Sequence, residues 1–183
     1  QWGLLPLHHL GHMSHISGRR HQFAAVIACD ADHLCDAHVL QTELSLQLHK
    51  NVLVGPEQDV LEVVNKQNVA VVLLLTEKVL LKPEPMVEVA TAIQHDRLIV
   101  PVLVLGRGYS YDMPPKHLPL LQLEGLEEET LTDMKTDLLD VLPNTIAVEW
   151  RAGAGDNQTR AACQEISSRM QTHAKQLAFV KLE

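Results

Sequence analysis

Glu88 is the first candidate for chemistry in this chain, because it interrupts an apolar helical pattern close to the start of that helix. Residues 86–108 read MVEVATAIQHDRLIVPVLVLGRG, a short helix pattern followed by an apolar strand. At 100° per residue the apolar positions of the helix fall on one arc, Met86, Val89, Ala90 and Ile93. Glu88 lies nearly opposite, which leaves two hypotheses open. It is a solvent-exposed acid that the helix dipole favours, or a carboxylate that overlooks a cleft at the strand ends.

A second group of candidate side chains follows the first predicted strand, where Cys29, Asp30 and Asp32 occur within four residues. Two acids at this point hold magnesium in response-regulator receivers, which also need a phosphoacceptor Asp after the third strand. This chain has Thr76 and Glu77 there, so receiver chemistry is disfavoured. Solvation and helix capping are the alternative roles of the acids, with Asp32 as the expected N-cap. Cys29 has no evident partner base, although His33 is near in sequence, and we expect it to pack in the core.

Composition restricts the classes of function. The chain has 183 residues, of which 46% are apolar, enough for one domain with a substantial core. Its net charge of −8 disfavours a nucleic-acid-binding surface. No apolar run approaches the ~20 residues of a membrane helix, so we expect no membrane insertion. Aromatic residues make up only 3%, so the core must be aliphatic.

The cysteines and histidines give no support to a metal site. Three cysteines, an odd and low number, argue against a disulfide scaffold and favour a reducing, cytoplasmic location. None of them forms a CxxC pair, and no metal is predicted. Residues 1–22 hold five of the eleven histidines, but in a loose segment that we expect to be a flexible tail. That segment has no basic n-region before its apolar residues, so we do not expect a signal peptide.

Residues 23–180 alternate apolar runs with helical patterns, which predicts a single domain. The predicted strands are 23–29, 52–54, 69–75, 98–105 and 145–150. The predicted helices are 33–49, 57–66, 85–95, 127–142 and 156–177, and 118–123 is expected to be a short extended piece. Five strands alternating with five helices predict an α/β fold, a doubly wound, flavodoxin-like, five-stranded parallel sheet with helices on both faces.

In such folds ligands bind outside the carboxyl ends of the strands. We therefore expect any site to draw on the loops after the strands, 29–32, 55–58, 76–84, 106–111 and 151–156. Glu88 lies just beyond the third of these loops. Neither a GK[ST] phosphate loop nor a GxSxG elbow occurs in the chain. Residues 153–155 (GAG) are interpreted as a tight turn before the last helix, not as a dinucleotide-binding motif.

Four stretches resemble a TIR domain (Toll/interleukin-1 receptor type), and the likeness covers roughly residues 23–170. They are 23–32, 55–64, 69–80 (VAVVLLLTEKVL) and 86–105. The last is the most specific, since it combines a Glu, an apolar helix, a basic residue and an IVPV strand. Strand rules discourage a proline such as Pro101 inside a strand, whereas the resemblance predicts it.

The resemblance implies that Glu88 is the catalytic carboxylate of an NAD⁺-cleaving signalling domain. Nicotinamide is a cationic leaving group that needs no general acid, so one carboxylate beside an oxocarbenium-like ribose is sufficient. NAD⁺ is then a substrate, with no tightly bound cofactor and no metal. The residues expected to contact NAD⁺ are Asp30, Asp32, Thr76, Glu84 and Tyr109.

Two other functions stay open. The chain departs from the family in a shorter loop at 54–57 and in having Pro83 and Glu84 where a Trp is common. These departures favour a non-catalytic TIR-like module that acts by homotypic assembly with other TIR-like domains. A nucleoside-deoxyribosyltransferase-like enzyme shares the architecture and a catalytic Glu, but its Asp-rich substrate motif is not found here.

Overall fold

The computed structural model describes residues 22–55, 60–123 and 127–180. The predicted tail, apart from Gln22, and the first residues of the second predicted helix lie outside these ranges. The strands are β1 (Phe23–Ala28), β2 (Asn51–Val54), β3 (Ala70–Leu75), β4 (Ile99–Val104) and β5 (Val148–Trp150). They form one all-parallel sheet in the order β2-β1-β3-β4-β5, which confirms the predicted sheet.

Helices cover both faces of this sheet. They are α1 (Leu34–Leu48), α2 (Val60–Lys66), α3 (Pro83–Gln94), α4 (Pro114–His117), α5 (Glu128–Asn144) and α6 (Asp156–Val180). One apolar layer joins the sheet to α2, α3 and α5, and the other joins it to α1 and α6. This arrangement confirms the doubly wound α/β fold. Within the ranges above, no helix has the length and apolarity needed to cross a membrane.

The central strand β3 shows why an unbroken aliphatic run becomes a strand here. All six of its residues are buried. Leu73 faces the layer of α2, α3 and α5, while Val72 and Leu74 face α1 and α6. A strand covered on both faces excludes polar residues from either side, and each fully buried Leu contributes about 1.5–3 kcal/mol.

Pro101 is tolerated inside β4 because of the direction in which its nitrogen points. Just past this strand, Leu105 N–H donates to Trp150 O at 2.7 Å, so odd-numbered residues along β4 face β5. By this alternation the N–H that Pro101 lacks would reach Ile146 O. The guanidinium of Arg169 on α6 donates to that carbonyl instead. Because β5 begins only at Val148, Ile146 lies outside the ladder and its carbonyl already has a donor. The missing N–H of Pro101 therefore leaves no ladder hydrogen bond unmade.

Two local predictions were wrong. The piece expected to be extended at 118–123 begins instead with a 3₁₀ turn (Leu118–Leu120) that continues directly from α4, and the backbone becomes extended only after it, at Leu121. Prolines in the first turn of both elements preset the helical φ that strand geometry would not accept. Asp32 is not the cap of the helix after β1. Asp30 caps the 3₁₀ turn Ala31–His33 that leads into α1, and its carboxylate accepts from Asp32 N–H at 3.0 Å.

Candidate functional site

The carboxyl ends of β1, β2 and β3 lie side by side at one edge of the sheet. Ile27 is paired with Val54 of β2, and Ala28 with Leu73 of β3. The chain leaves β1 toward β2 on one side and returns to β3 on the other. The point between β1 and β3 is therefore the switch in strand order where doubly wound folds bind ligands.

A buried carboxylate occupies this switch point. Thr76 Oγ donates to Asp30 Oδ2 at 2.5 Å, which joins the ends of β3 and β1. His33 Nδ1 lies 2.7 Å from Asp30 Oδ1, and the same oxygen accepts from Asp32 N–H. Burial would raise the pKa of Asp30, but the hydrogen bonds from Thr76 and His33 outweigh it and hold that pKa below its ordinary value. Asp30 is therefore ionised at neutral pH.

Glu88 is buried, with only 4% of its surface exposed. The hypothesis that it is a solvent-exposed acid is therefore wrong. The helical spacing of the apolar residues identifies only the face of α3 that covers the sheet. In the structure α3 also packs against α2 and reaches the end of β2, so the opposite face is covered at Glu88. A Cβ built on Gly55, directly after β2, would lie 2.5 Å from Glu88 Oε1 and 2.9 Å from Oε2. The carboxyl group fills the space that this glycine leaves empty.

The carboxyl group of Glu88 is poorly satisfied. Within the part of the chain that the structure describes, its Oε2 atom has no hydrogen-bond partner. Burial, and to a smaller extent the carboxylate of Glu84, raises the pKa of Glu88 to about 8. A buried polar atom without a partner costs about 1–3 kcal/mol, and buried carboxyl groups with a strongly raised pKa occur often at functional sites.

Cys29 directly follows β1 and is buried. Its thiol donates to Gly55 O at 3.4 Å. Burial, followed by the charges of Glu88 and Asp30, raises the pKa of Cys29 to about 12. The thiol is therefore protonated and a poor nucleophile at neutral pH. The hydrogen bond to Gly55 O places the thiol beside the end of β2, where the Glu88 carboxyl also lies.

The other predicted contact residues are distributed less closely. Glu84 lies on the exposed side of α3, one turn before Glu88, and the side chain of Asp32 is exposed. Tyr109 is half-buried against the layer of α2, α3 and α5, and its ring makes an edge-on contact with Tyr111 at 5.7 Å. Among the described contacts, none joins the side chains of Asp32 or Tyr109 to Asp30 or Glu88.

Three features of this edge were missed by sequence reasoning. Gly55 follows β2 directly, and a glycine at a strand end is a recognised signal of close approach. His33 stands three residues after Asp30, a spacing that allows contact within one turn. Arg107, after β4, forms a two-pronged ion pair with Asp36 of α1, with Nε–Oδ2 2.9 Å and Nη2–Oδ1 3.0 Å. No local pattern connects residues so far apart in the sequence.

Two concavities lie elsewhere on the molecule. One of about 680 Å³ follows β5 and α6, and one of about 290 Å³ lies between α1 and α6. Neither is lined by a residue that the sequence singled out for NAD⁺. Among the described residues, no three His, Cys, Asp or Glu side chains are grouped as metal ligands.

No protein-family model matches the chain, and no curated protein matches it either. The TIR resemblance therefore depends on the four stretches 23–32, 55–64, 69–80 and 86–105 alone.

Replacing Gly55 by Ala should destabilise the fold by about 1–3 kcal/mol, since the new methyl group overlaps the Glu88 carboxyl. Chemical denaturation measures the free energy of unfolding. In a Glu88→Ala background the same replacement should cost much less, because the obstructing group is gone. Gly155→Ala, whose Cβ meets open space, is the matched control. An equal cost of Gly55→Ala in both backgrounds would contradict the packing described.

The stability of the protein should fall between pH 4.5 and 8 because of Glu88. Its pKa is about 8 when folded and 4.5 in the reference state. The folded form therefore holds a proton that the unfolded chain releases in this window, and stabilisation present at low pH is lost as pH rises. The thiol of Cys29 titrates outside this window. Glu88→Gln removes this dependence, so its stability relative to wild type should increase by roughly 3–5 kcal/mol from pH 4.5 to 9.

Urea titrations of both proteins at several pH values measure this difference. The exposed Glu129→Gln on α5 is the control and should change little with pH. A constant difference between Glu88→Gln and wild type over the whole range would show that the Glu88 carboxyl is solvated in the folded state.

Proposed function

We propose that this chain is a TIR-like signalling domain that cleaves the bond between nicotinamide and ribose in NAD⁺, with Glu88 as the catalytic carboxylate. The observation that carries the proposal is the buried Glu88 carboxyl group, which has a free oxygen atom at the ligand-binding edge of a doubly wound sheet. A core residue with no function would not retain a group that is both desolvated and unsatisfied.

The chemistry needs one negative charge near the ribose. When the bond between C1′ and nicotinamide breaks, its electron pair leaves with the ring nitrogen and the positive charge moves to the ribose. An ionised Glu88 stabilises that charge, and the effect is large because burial excludes the water that would screen it. Free Glu88 is neutral at pH 7, so binding of the cationic substrate releases its proton.

The neighbouring residues support this role in different ways. Asp30 and Thr76 form a rigid wall at the switch point, because each holds the other in place by a buried hydrogen bond. Glu84 is exposed and adds negative potential beside Glu88. We assign hydroxyl contacts with NAD⁺ to Asp32 and Glu84 and a ring contact to Tyr109, which retains part of its surface for a ligand.

Purified protein incubated with NAD⁺ should release nicotinamide, measured by chromatography. The value of kcat/KM should rise with pH around pH 8, since the free enzyme must lose the Glu88 proton. Glu88→Gln should lower the rate by at least about 100-fold, while Glu129→Gln leaves it unchanged. If wild type releases nothing even at high protein concentration or under crowding, the enzymatic function is rejected. A fully active Glu88→Gln rejects the residue assignment.

The second candidate is a non-catalytic module that assembles with other TIR-like domains. It is favoured by the free edge of the sheet, where β5 has only three residues and borders the concavity of about 680 Å³. Ile146, just before β5, is 79% exposed. Side chains of both charge signs line the concavity, among them Glu149, Arg151 and Arg169. An exposed edge strand beside an apolar residue and mixed charges fits a second domain of the same kind.

Sedimentation equilibrium over a wide concentration range tests this candidate. Wild type should associate reversibly, and Ile146→Glu should abolish association by placing a charge in the interface. Leu120→Glu, at a residue that is 66% exposed away from β5, is the matched control and should associate like wild type. Association without nicotinamide release would favour the module, whereas a monomer at every concentration would exclude it.

A further inference from the structure

His33 and Asp30 form an imidazole–carboxylate pair outside β1. The distance between His33 Nδ1 and Asp30 Oδ1 is 2.7 Å. The side chain of Asp30 is fully buried, while that of His33 retains 18% of its exposure. Both Asp30 oxygens accept hydrogen bonds, from the Thr76 hydroxyl and from the Asp32 N–H. An ionised carboxylate can only accept, so His33 must donate from Nδ1.

This contact determines the tautomer of the imidazole. With the proton on Nδ1, the Nε2 atom of neutral His33 carries a lone pair. No hydrogen bond to Nε2 is found among the residues that the structure describes. A partly exposed imidazole that is held from behind by a buried carboxylate has the arrangement of a general base.

We propose that His33 accepts the proton of the water molecule that attacks C1′ of the ribose, and that Asp30 is its positioning residue. This inference depends on the proposed NAD⁺ cleavage. Neighbouring strand ends lie about 4.8 Å apart, Glu88 covers Gly55 after β2, and His33 is held outside β1. The carboxyl group and the imidazole therefore belong to the ends of two neighbouring strands, and the proposal places the ribose of NAD⁺ between them.

The hydrolytic step balances without any further reactant. The bond from C1′ to the nicotinamide nitrogen breaks and its electron pair stays on nitrogen, which gives neutral nicotinamide. The water oxygen forms a bond to C1′, and one water proton passes to Nε2. The imidazolium then releases that proton to solvent. The products are ADP-ribose, nicotinamide and one proton.

Exchange of the leaving group separates the role of His33 from that of Glu88. A pyridine attacks C1′ through its ring nitrogen and has no proton to lose, so exchange needs Glu88 but no general base. Hydrolysis needs both. The ratio of hydrolysis to exchange therefore reports on His33 alone, independently of how much active protein is present.

The experiment incubates the full chain with NAD⁺ and 3-acetylpyridine, and measures ADP-ribose and the exchanged dinucleotide in the same sample. His33→Gln should lower hydrolysis about 100-fold or more and change exchange by less than about threefold. A glutamine amide can still donate to Asp30, so the fold around the switch point is retained. His38→Gln, on the exposed side of α1, is the matched control and should keep the wild-type ratio.

Asp30→Asn tests the positioning role of Asp30 by the same ratio. Without the negative charge, nothing fixes the proton of neutral His33 on Nδ1, so the imidazole is no longer held in one tautomer. The ratio of hydrolysis to exchange should fall. The double variant of Asp30→Asn with His33→Gln should have the same ratio as His33→Gln alone. A His33→Gln protein with the wild-type ratio would overturn the inference and leave the proposed function intact. A wild-type protein that neither hydrolyses nor exchanges NAD⁺ would overturn both.

Discussion

The hydrogen bond from Thr76 to Asp30 is the contact on which the strand-end edge of the sheet depends. It crosses the point where the winding of the sheet changes direction, and both partners are buried. A doubly wound sheet opens at this point because the helices on its two faces lead away from each other. A charged hydrogen bond here holds the ends of β1 and β3 together, and it leaves one oxygen of Asp30 for other donors.

That remaining oxygen determines how the next element begins. It accepts from the N–H of Asp32 and from the ring of His33. A single carboxylate thus ends β1, caps the turn into α1 and orients the imidazole at the start of that helix. Removing the side chain of Asp30 would disturb three structural features together, so its importance for the fold does not depend on catalytic activity.

The architecture could be predicted from the sequence because its signal is local and repeated. An aliphatic run such as β3 is short, rich in valine and flanked by helical patterns, which favours a buried strand, so the strand count and the parallel sheet follow from length and alternation. The environment of Glu88 could not be predicted in this way. Its burial arises from Gly55, which is thirty-three residues away in the sequence, and a helical wheel has no information about a neighbouring strand end. The cap of the turn after β1 was assigned to Asp32 and not to Asp30 because the sequence did not reveal the 3₁₀ turn that precedes α1.

The two acids at this edge differ in protonation although they lie near the same thiol. Asp30 accepts from three donors and stays ionised, whereas Glu88 is buried with no partner for its Oε2 among the described residues and stays neutral at pH 7. Each protonation state follows from the immediate surroundings of the carboxyl group, since donors stabilise the charge of Asp30 and burial disfavours the charge of Glu88. Because of this difference in protonation, Asp30 and Glu88 can have different roles. The ionised Asp30 can hold an imidazole in one tautomer, and the neutral Glu88 can release its proton when a cation arrives. Pairs of carboxyl groups whose pKa values are driven apart by their surroundings are typical of sites that move protons and charge.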